Sequence, residues 1–316
     1  MVGCLSKTSK LILEASIRNS TKKKYDVYIK KWENYCISNE INNDEITANH
    51  IINFLSNMFD ENDSYSAIKT AKAAISHKIC LPPYRNIGNH PLIVKFMKGV
   101  FNLRPPTTKT GFIWDVKLLF DYFDKLPSND QMSFYDLTCK TLCLLLLLTG
   151  SRVNTVFNFC INEIVINDIG ITVTPSAVLK HSRQNRKGDI FLYKAFPSNA
   201  KLCVVNALQS YIKARNILIE DTEKKLFITT KRPYKAASID TLRRWIKSTL
   251  NKAGIYNFSS HSCRSASTSK ALALNVQLEE ILKMACWSNV KTFKKHYEKD
   301  IIDTDESVNF NNIISL

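Results

Sequence analysis

Apolar residues recur every three or four positions along most of this 316-residue chain, and this spacing predicts a largely helical fold. Ser20 is suited to cap the first clear helix, Ser64 to begin a later one, and Pro91 to occupy a first helical turn. The first apolar stripe consists of Tyr25, Tyr28, Ile29, Trp32, Tyr35 and Cys36. We therefore predict a small bundle of about four helices between residues 10 and 102.

β-branched residues replace this pattern in one region of the second half of the chain. They are concentrated at residues 164–166, 171–174, 177–179 and 190–193, which predicts a small antiparallel sheet. Helical patterns occupy most of the remainder, at residues 113–123, 134–148, 198–216, 238–253, 262–273, 276–286 and 291–298. The predicted fold class is therefore mainly α with a small antiparallel β-sheet.

A polar, basic and proline-containing stretch, residues 104–111, is typical of a linker between domains. We predict a helical amino-terminal domain at residues 1–103, a linker at 104–112, a second domain at 113–298 and a tail at 299–316. The tail is first acidic and then apolar, and a short apolar segment needs a groove to fill. That groove belongs either to a neighbouring subunit or to the tail's own domain.

The chain is strongly basic, with 44 Lys and Arg against 28 Asp and Glu, a net charge of +16 and a pI near 9.4. Residues 1–104 carry 15 basic and 9 acidic side chains, and the rest carry 29 and 19, so both halves contribute. This balance indicates a partner with many phosphates, or a protein kept soluble by its own charge. The candidate contacts to such a phosphate-bearing partner, each alternatively part of a solvated face, are Lys22, Lys23, Lys24, Arg183, Arg186, Lys187, Arg243, Arg244, Lys247, Lys294 and Lys295.

The nine cysteines are scattered and form no C-x-x-C pair, so structural zinc is not expected. Thiols within apolar helical patterns are typical of a reducing intracellular compartment. The amino terminus lacks an apolar signal segment, and the longest aliphatic run, residues 144–148, is far too short to span a bilayer. We expect a cytoplasmic or nuclear protein.

Three short motifs contain residues suited to phosphate chemistry. Arg152 ends a Thr-Gly-Ser-Arg turn after a Leu-rich helix, His261 and Arg264 are three positions apart at a predicted helix start, and Trp287 precedes Tyr297 by ten residues. Each motif alone also fits an ordinary helix end or a packed aromatic pair. Their order along the chain is what is specific.

That order resembles the tyrosine recombinase (phage integrase) superfamily from about residue 18 to residue 300. The family pattern is an Arg in a Thr-Gly-x-Arg turn, a hairpin Lys, His-x-x-Arg, then His or Trp, then Tyr. The matching residues here are Arg152, Lys180, His261, Arg264, Trp287 and Tyr297, with Lys187 as a competitor for the lysine position. The Lys-His-Ser-Arg stretch at 180–183 and the His-Ser-Cys-Arg-Ser-Ala-Ser run at 261–267 resemble recombinases of eukaryotic DIRS and Crypton-type mobile elements. Thr155 and Cys286 depart from the bacterial pattern, which usually has Glu and Gly at these positions.

The resemblance implies a SAM-like core-binding domain followed by a catalytic domain, clamped around duplex DNA. It implies strand exchange through a 3′-phosphotyrosine intermediate, with no cofactor or metal, by a tetramer in the nucleus of a eukaryotic host. Tyr297 is the expected nucleophile, and Arg152 and Arg264 would bind the phosphate through forked hydrogen bonds. Two alternatives remain: a monomeric type IB topoisomerase-like activity, and a domesticated DNA-binding protein without turnover.

Overall fold

The computed structural model describes residues 6–79, 86–106, 111–180, 182, 188–219, 223–287 and 289–302. The chain divides into two compact units, Met1–Lys109 and Thr110–Leu316. Among the described residues, no helix combines the length and apolarity that crossing a membrane requires.

The first unit is a helical bundle. Its helices are α1 Lys7–Glu14, α2 Asn19–Ser38, α3 Ala48–Asp60, α4 Tyr65–Lys78 and α5 Pro91–Leu103, with short 3-10 turns at Asn43–Glu45 and Ile87–Asn89. The Ser64 hydroxyl accepts a hydrogen bond from the Ala67 amide, and Pro91 lies in the first turn of α5, as the sequence predicts. Ser20 was expected to cap α2, but this helix begins after Arg18 and Ser20 lies inside its first turn. The helix α1 was not predicted.

The core of this unit is built on the predicted apolar stripe. Trp32 of α2 is 2% exposed, and its ring packs edge-on against Phe54 of α3 with centroids 5.3 Å apart. Ile51 and Leu55 of α3, with Ile68 of α4, are completely buried beside them. Burial of such side chains is the main stabilising contribution to a bundle of this size.

The second unit is also mainly helical. Its helices are α6 Val116–Lys125, α7 Phe134–Thr149, α8 Val153–Phe157, α9 Val204–Leu218, α10 Ile239–Lys252, α11 Ser262–Ala273, α12 Leu278–Met284 and α13 Val290–His296, with 3-10 turns at Asn129–Gln131 and Ile161–Glu163. Nearly every side chain of α7 between Leu137 and Leu147 is buried, so this helix forms the centre of the core. It packs against α9, α10 and α11.

Two small sheets complete this unit. Strands β2 Ile164–Asn167, β3 Gly170–Val173 and β4 Phe191–Lys194 form an antiparallel sheet in the order β2-β3-β4. Strand β1 Phe112–Trp114 pairs in parallel with β5 Asp300–Ile302. The predicted fold class, mainly α with a small antiparallel sheet, is confirmed.

Some local predictions for the second unit were wrong. Residues 177–179 were expected to form a strand but are irregular: Pro175 cannot donate to a ladder, and the Ser176 amide donates to the Glu163 carboxylate instead. The helix predicted at 113–123 begins only at Val116, where the Asp115 carboxylate caps it. Phe112 was assigned to the linker and Asp300–Ile302 to the tail. In the structure Phe112 is the first residue of β1, and Asp300–Ile302 form β5, which pairs with β1.

Candidate active site around Tyr297

The start of α11 positions two of the predicted site residues. His261 immediately precedes this helix and is exposed, whereas Arg264 in its first turn is only 1% exposed. The guanidinium of Arg264 donates through Nη1 to the carbonyl oxygen of Gly150, and through Nη2 to that of Ala285 at 2.7 Å. These two backbone carbonyls fix the guanidinium between the end of α7 and the end of α12.

The turn after α7 requires glycine and brings Arg152 toward Arg264. Gly150 has a φ of 57°, and a Cβ there would lie 2.8 Å from Cγ2 of Thr268 on α11. A larger residue would be strained in this left-handed conformation and would push α7 away from α11. Arg152 follows the turn, immediately before α8, and is partly buried. Its positive charge acts on the Arg264 guanidinium and helps to lower the pKa of that group.

An aromatic cluster surrounds the other side of Arg264. Trp287 is 8% exposed, and its ring centroid lies 5.2 Å from that of Phe293 and 4.7 Å from that of Tyr297. The guanidinium carbon of Arg264 lies 3.9 Å from the Trp287 ring centroid and 5.3 Å from the Tyr297 ring centroid. These are cation–π distances, so the aromatic rings stabilise a positive charge at this point.

Tyr297 also contacts His261. It follows the last residue of α13 and is partly buried. Its hydroxyl lies 3.3 Å from Nε2 of His261, and the two rings are edge-on with centroids 5.8 Å apart. The imidazole is therefore within hydrogen-bonding distance of the phenol and can accept or donate a proton there.

The electrostatics of the site favour an anion. Burial, together with the charge of Arg152, lowers the pKa of Arg264 to about 9, while Tyr297 and Cys286 act in the opposite direction. An anion placed beside the two guanidinium groups would offset both effects. Nε of Arg264 and Nε1 of Trp287 are buried and have no hydrogen-bond partner among the described residues. No group of three His, Cys, Asp or Glu in this part of the chain is arranged to hold a metal ion.

Ser269, a buried residue of α11, was not predicted to belong to the site. Its hydroxyl donates to the carbonyl oxygen of Tyr297 at 2.9 Å and accepts from the Lys299 amide at 3.1 Å. These bonds fix the backbone of Tyr297 to the helix that carries Arg264. The only sequence signal was the position of Ser269, which lies 5 residues after Arg264 in a serine-rich helix.

Two further contacts anchor α11. Nε1 of Trp114 in β1 donates to the Ser262 hydroxyl at 2.8 Å, and Nζ of Lys270 lies 2.7 Å from the Asp115 carboxylate. Both Lys270 and Asp115 are partly buried, so this ion pair is less screened than a surface pair. The helix that positions the site is thus attached at both ends to the β1–α6 segment.

The structure gives less information about Lys180, the lysine that the resemblance places in the site. Lys180 is exposed on the connection between β3 and β4, beside the buried Leu179. Its assignment to the site therefore stays a prediction. Three candidates on the same connection, namely Arg183, Arg186 and Lys187, lie outside the described residues.

The candidate DNA contacts on α10 line a surface cleft of about 690 Å³ that extends to Ser259 and Ser260, directly before His261. Arg243, Arg244 and Lys247 are exposed there, and Arg243 forms a 2.7 Å ion pair with Asp240. The remaining candidates are also exposed: Lys22, Lys23, Lys24, Lys294 and Lys295. Lys22 pairs with Glu14 at 2.8 Å, and a pair this exposed contributes little stability.

Comparison with known proteins finds one matching protein family and several solved structures with a similar fold. The profile of the phage integrase family matches residues 116–301, more than half of the chain, and the six predicted catalytic residues lie within this range. No curated protein sequence matches significantly.

Several solved structures are similar in fold. A structure of XerH site-specific recombinase bound to palindromic difH substrate, in a post-cleavage complex, is 13% identical with a TM-score of 0.61, covering 93% of this chain and 79% of that one. The Tn1549 transposon integrase in complex with circular intermediate DNA is 13% identical with a TM-score of 0.59, covering 94% and 95%. A lambda integrase tetramer bound to a Holliday junction is 14% identical with a TM-score of 0.52, covering 95% and 78%.

Proposed function

Since the chain belongs to the phage integrase family, we propose that it is a site-specific tyrosine recombinase that cuts and rejoins duplex DNA through a 3′-phosphotyrosine intermediate. The observation that carries this proposal is the convergence of His261 and Arg264 on Tyr297. The phenol lies 3.3 Å from the imidazole, and the guanidinium carbon lies 5.3 Å from the phenol ring centroid. A candidate nucleophile, a proton acceptor and a guanidinium cation therefore lie next to one another.

In the cleavage step, the Tyr297 oxygen attacks a DNA phosphorus as its proton passes to His261. The five-coordinate phosphorane carries excess negative charge on its two non-bridging oxygens, which Arg264 and Arg152 would stabilise. Arg264 uses two of its five N–H donors on backbone carbonyls, which leaves donors for a phosphate oxygen. The bond to the 5′-oxygen breaks, and Lys180 would supply the proton that this oxygen gains. Rejoining reverses these steps with another 5′-hydroxyl.

Trp287 would complete the phosphate site. Its buried Nε1 has no hydrogen-bond partner among the described residues and is adjacent to Arg264, so a phosphate oxygen would satisfy it. Two guanidinium groups and an indole N–H supply the stabilisation that a divalent cation provides in other phosphoryl-transfer sites. We therefore propose a metal-independent reaction, in which covalent adduct formation is unaffected by EDTA.

The biological setting is a further part of the proposal. The His-Ser-Cys-Arg-Ser-Ala-Ser run at 261–267 and the Lys-His-Ser-Arg stretch at 180–183 support a recombinase of the DIRS or Crypton type, acting on a mobile element in a eukaryotic nucleus. The similar Tn1549 protein is a transposon integrase, and the similar lambda integrase forms a tetramer on a Holliday junction. We propose that this chain also recombines DNA as a tetramer.

The proposal is tested with duplex DNA containing a nick that traps the covalent intermediate. Wild-type protein should form a denaturant-resistant adduct, and Tyr297→Phe, which lacks the attacking oxygen, should form none. Tyr122→Phe on α6 removes the same atom from another partly buried tyrosine and should retain the adduct. Adduct formation by Tyr297→Phe would show that the nucleophile is another residue. Recombinant products, as opposed to relaxed plasmid alone, would separate this function from that of a topoisomerase.

A further inference from the structure

Strand β1 contacts both segments that carry the candidate proton acceptor and the candidate nucleophile. Trp114, its last residue, donates from Nε1 to the Ser262 hydroxyl at 2.8 Å, and Ser262 directly follows His261. The same strand pairs in parallel with β5, which begins three residues after Tyr297. The backbones next to His261 and next to Tyr297 are therefore attached to one short strand.

The position of the His261 imidazole depends strongly on its backbone. His261 occupies the N-cap position of α11, but its side chain does not cap the helix. The imidazole is exposed, and its Nε2 lies 3.3 Å from the Tyr297 hydroxyl. Close packing restrains a buried ring more than an exposed one, so the backbone of His261 has a large effect on this distance. A small increase in a distance of this size would break the hydrogen bond.

The indole of Trp114 is suited to fix that backbone. It is 2% exposed and belongs to the core of the second unit. A buried N–H group is costly to leave without a partner, so the bond to Ser262 is strongly favoured. The next residue, Asp115, pairs with Lys270 about two turns further along α11, at 2.7 Å. Two consecutive residues thus attach the helix at two points, which restricts its tilt and its sliding relative to β1.

We propose that Trp114 is a positioning residue of the candidate site, which keeps the His261 imidazole at hydrogen-bonding distance from the Tyr297 hydroxyl through its bond to Ser262. The inference rests on the proposed function, because it takes His261 to accept the proton of the nucleophile. Proton transfer requires the acceptor within hydrogen-bond reach of the hydroxyl, and a displacement of about 1 Å slows such a step by up to about a hundredfold. Trp114 acts through Ser262 and not by contact with the phosphate.

Substitutions on the two sides of this bond test the role in the full-length chain, with the nicked duplex as substrate. Trp114→Phe keeps an aromatic ring in the core but removes the N–H donor, and Ser262→Ala removes the acceptor. We expect each to slow adduct formation about tenfold. The double variant should be no slower than either single variant, since both remove the same bond. A loss of about a hundredfold in the double variant would show that the two residues act independently, which overturns the proposal.

Trp245→Phe is the matched control. Trp245 of α10 belongs to the same core and is 8% exposed, and the substitution removes the same indole N–H group. It should form the adduct at the wild-type rate, and thermal unfolding within a few degrees of wild type establishes that each variant is folded. Trp114→Phe should bind DNA with unchanged affinity. Equal slowing by Trp245→Phe, or a loss of DNA affinity that matches the loss of rate, would contradict a specific action on His261.

A spectroscopic test needs neither DNA nor cleavage. In protein labelled with ¹⁵N-histidine, Tyr297→Phe should change the ring-nitrogen signals of His261, because the neighbouring hydroxyl is lost. These signals are identified by their absence in His261→Gln. In a Trp114→Phe background the same change should be much smaller, since the imidazole no longer lies beside the phenol. An undiminished change would show that His261 keeps its position without the indole N–H, and the proposal would be wrong.

The same measurements separate this inference from the proposed function. If the wild type forms the covalent adduct and Trp114→Phe forms it at the same rate, only the positioning role fails. If Tyr297→Phe still forms the adduct, the nucleophile assignment fails. The histidine signals then still report whether Trp114 holds His261 beside Tyr297.

Discussion

At the residue level, Arg264 contacts two backbone carbonyls and two aromatic rings of the candidate site at the same time. Its guanidinium is bound to the carbonyls of Gly150 and Ala285 and lies against the rings of Trp287 and Tyr297. A planar, forked group can satisfy two carbonyls in different directions and still present N–H donors to a phosphate. A lysine ammonium at the same position cannot span these partners.

Arg264→Lys should therefore affect both stability and chemistry. We expect about 3 kcal/mol of lost unfolding free energy from the unsatisfied buried carbonyls, and no detectable DNA adduct. Arg215→Lys is the matched control, because Arg215 of α9 is equally buried and donates to the carbonyls of Glu223 and Lys225. It should lose similar stability in urea unfolding yet keep adduct formation at a temperature where it is folded. Loss of the adduct in both variants would indicate a purely structural role for Arg264.

Another buried cation, Lys140 of α7, makes stability depend on pH. Lys140 is 1% exposed and donates to the Asn129 side chain at 2.9 Å. Burial, with a contribution from Lys201, lowers its pKa from 10.5 to about 8. Below pH 8 the buried Lys140 ammonium is charged in the folded protein, and its desolvation lowers the free energy of unfolding by the full amount. This loss of stability disappears as the pH rises to 10.5, where the unfolded chain also loses the proton.

This residue's contribution to the unfolding free energy should therefore increase by about 3 kcal/mol between pH 8 and pH 10.5. Urea unfolding of wild type and Lys140→Met at the two pH values measures it, since other titrating groups cancel in the comparison. The stability of the variant relative to wild type should fall by that amount at the higher pH. A difference that does not change with pH would contradict the lowered pKa of Lys140.

At the level of elements, α11 organises the candidate site. His261 precedes it, Arg264 lies in its first turn, and Ser269 binds the backbone of Tyr297. The helix is itself attached to α7 by the Ser267 hydroxyl, which donates to the Leu147 carbonyl. The proposed nucleophile and the proposed phosphate-binding cation are thus positioned by a single helix.

Ser269→Ala should consequently slow adduct formation by about tenfold, because a small displacement of the nucleophile reduces the rate steeply. The dissociation constant for DNA should stay unchanged, since Ser269 is buried and its hydroxyl bonds only to the backbone of Tyr297 and Lys299. Ser267→Ala also removes a serine-to-carbonyl bond from α11, but not one to Tyr297, and should leave the rate close to wild type. The idea fails if rate and DNA affinity fall together, or if both variants slow the reaction equally.

Local signals predicted the elements well where both partners of an interaction are close in sequence. Ser64 caps α4, Pro91 begins α5 and Gly150 ends α7, each as expected from a few neighbouring residues. The β1–β5 pair was missed because its two strands are three residues long and nearly two hundred positions apart. Parallel pairing of such distant segments leaves no periodic trace in either one.

For the whole molecule, the question is which part of the carboxyl-terminal segment belongs to the second unit. Asp300–Ile302 form β5 and pair with β1. The apolar residues beyond them, which are predicted to fill a groove on a neighbouring subunit or on their own domain, lie outside the described residues. Cleavage and assembly should therefore depend on different parts of this segment.

A chain ending at Ile302 should still form the covalent adduct but should not assemble as a tetramer on DNA. A chain ending at Lys299 also loses β5 and should be less stable, with a lower unfolding temperature. Adduct assays, together with sedimentation of the protein–DNA complex, distinguish the two truncations. Normal tetramer formation by the chain ending at Ile302 would show that the tail does not dock on a neighbouring subunit.

The sequence by itself determined the helical fold class, the basic character and the identity and order of the candidate site residues, because these depend on local periodicity, composition and short motifs. Only the tertiary structure decided that Arg264 is buried on the Gly150 carbonyl, 114 positions away, that Trp287 packs against Tyr297, and that Ser269 holds the Tyr297 backbone. Contacts of this kind depend on how helices pack, and many different residues can make them. Phosphate chemistry, in contrast, accepts few residue types, and the resemblance to the tyrosine recombinases depends on such residues in a fixed order, which is why candidates could be proposed from the sequence.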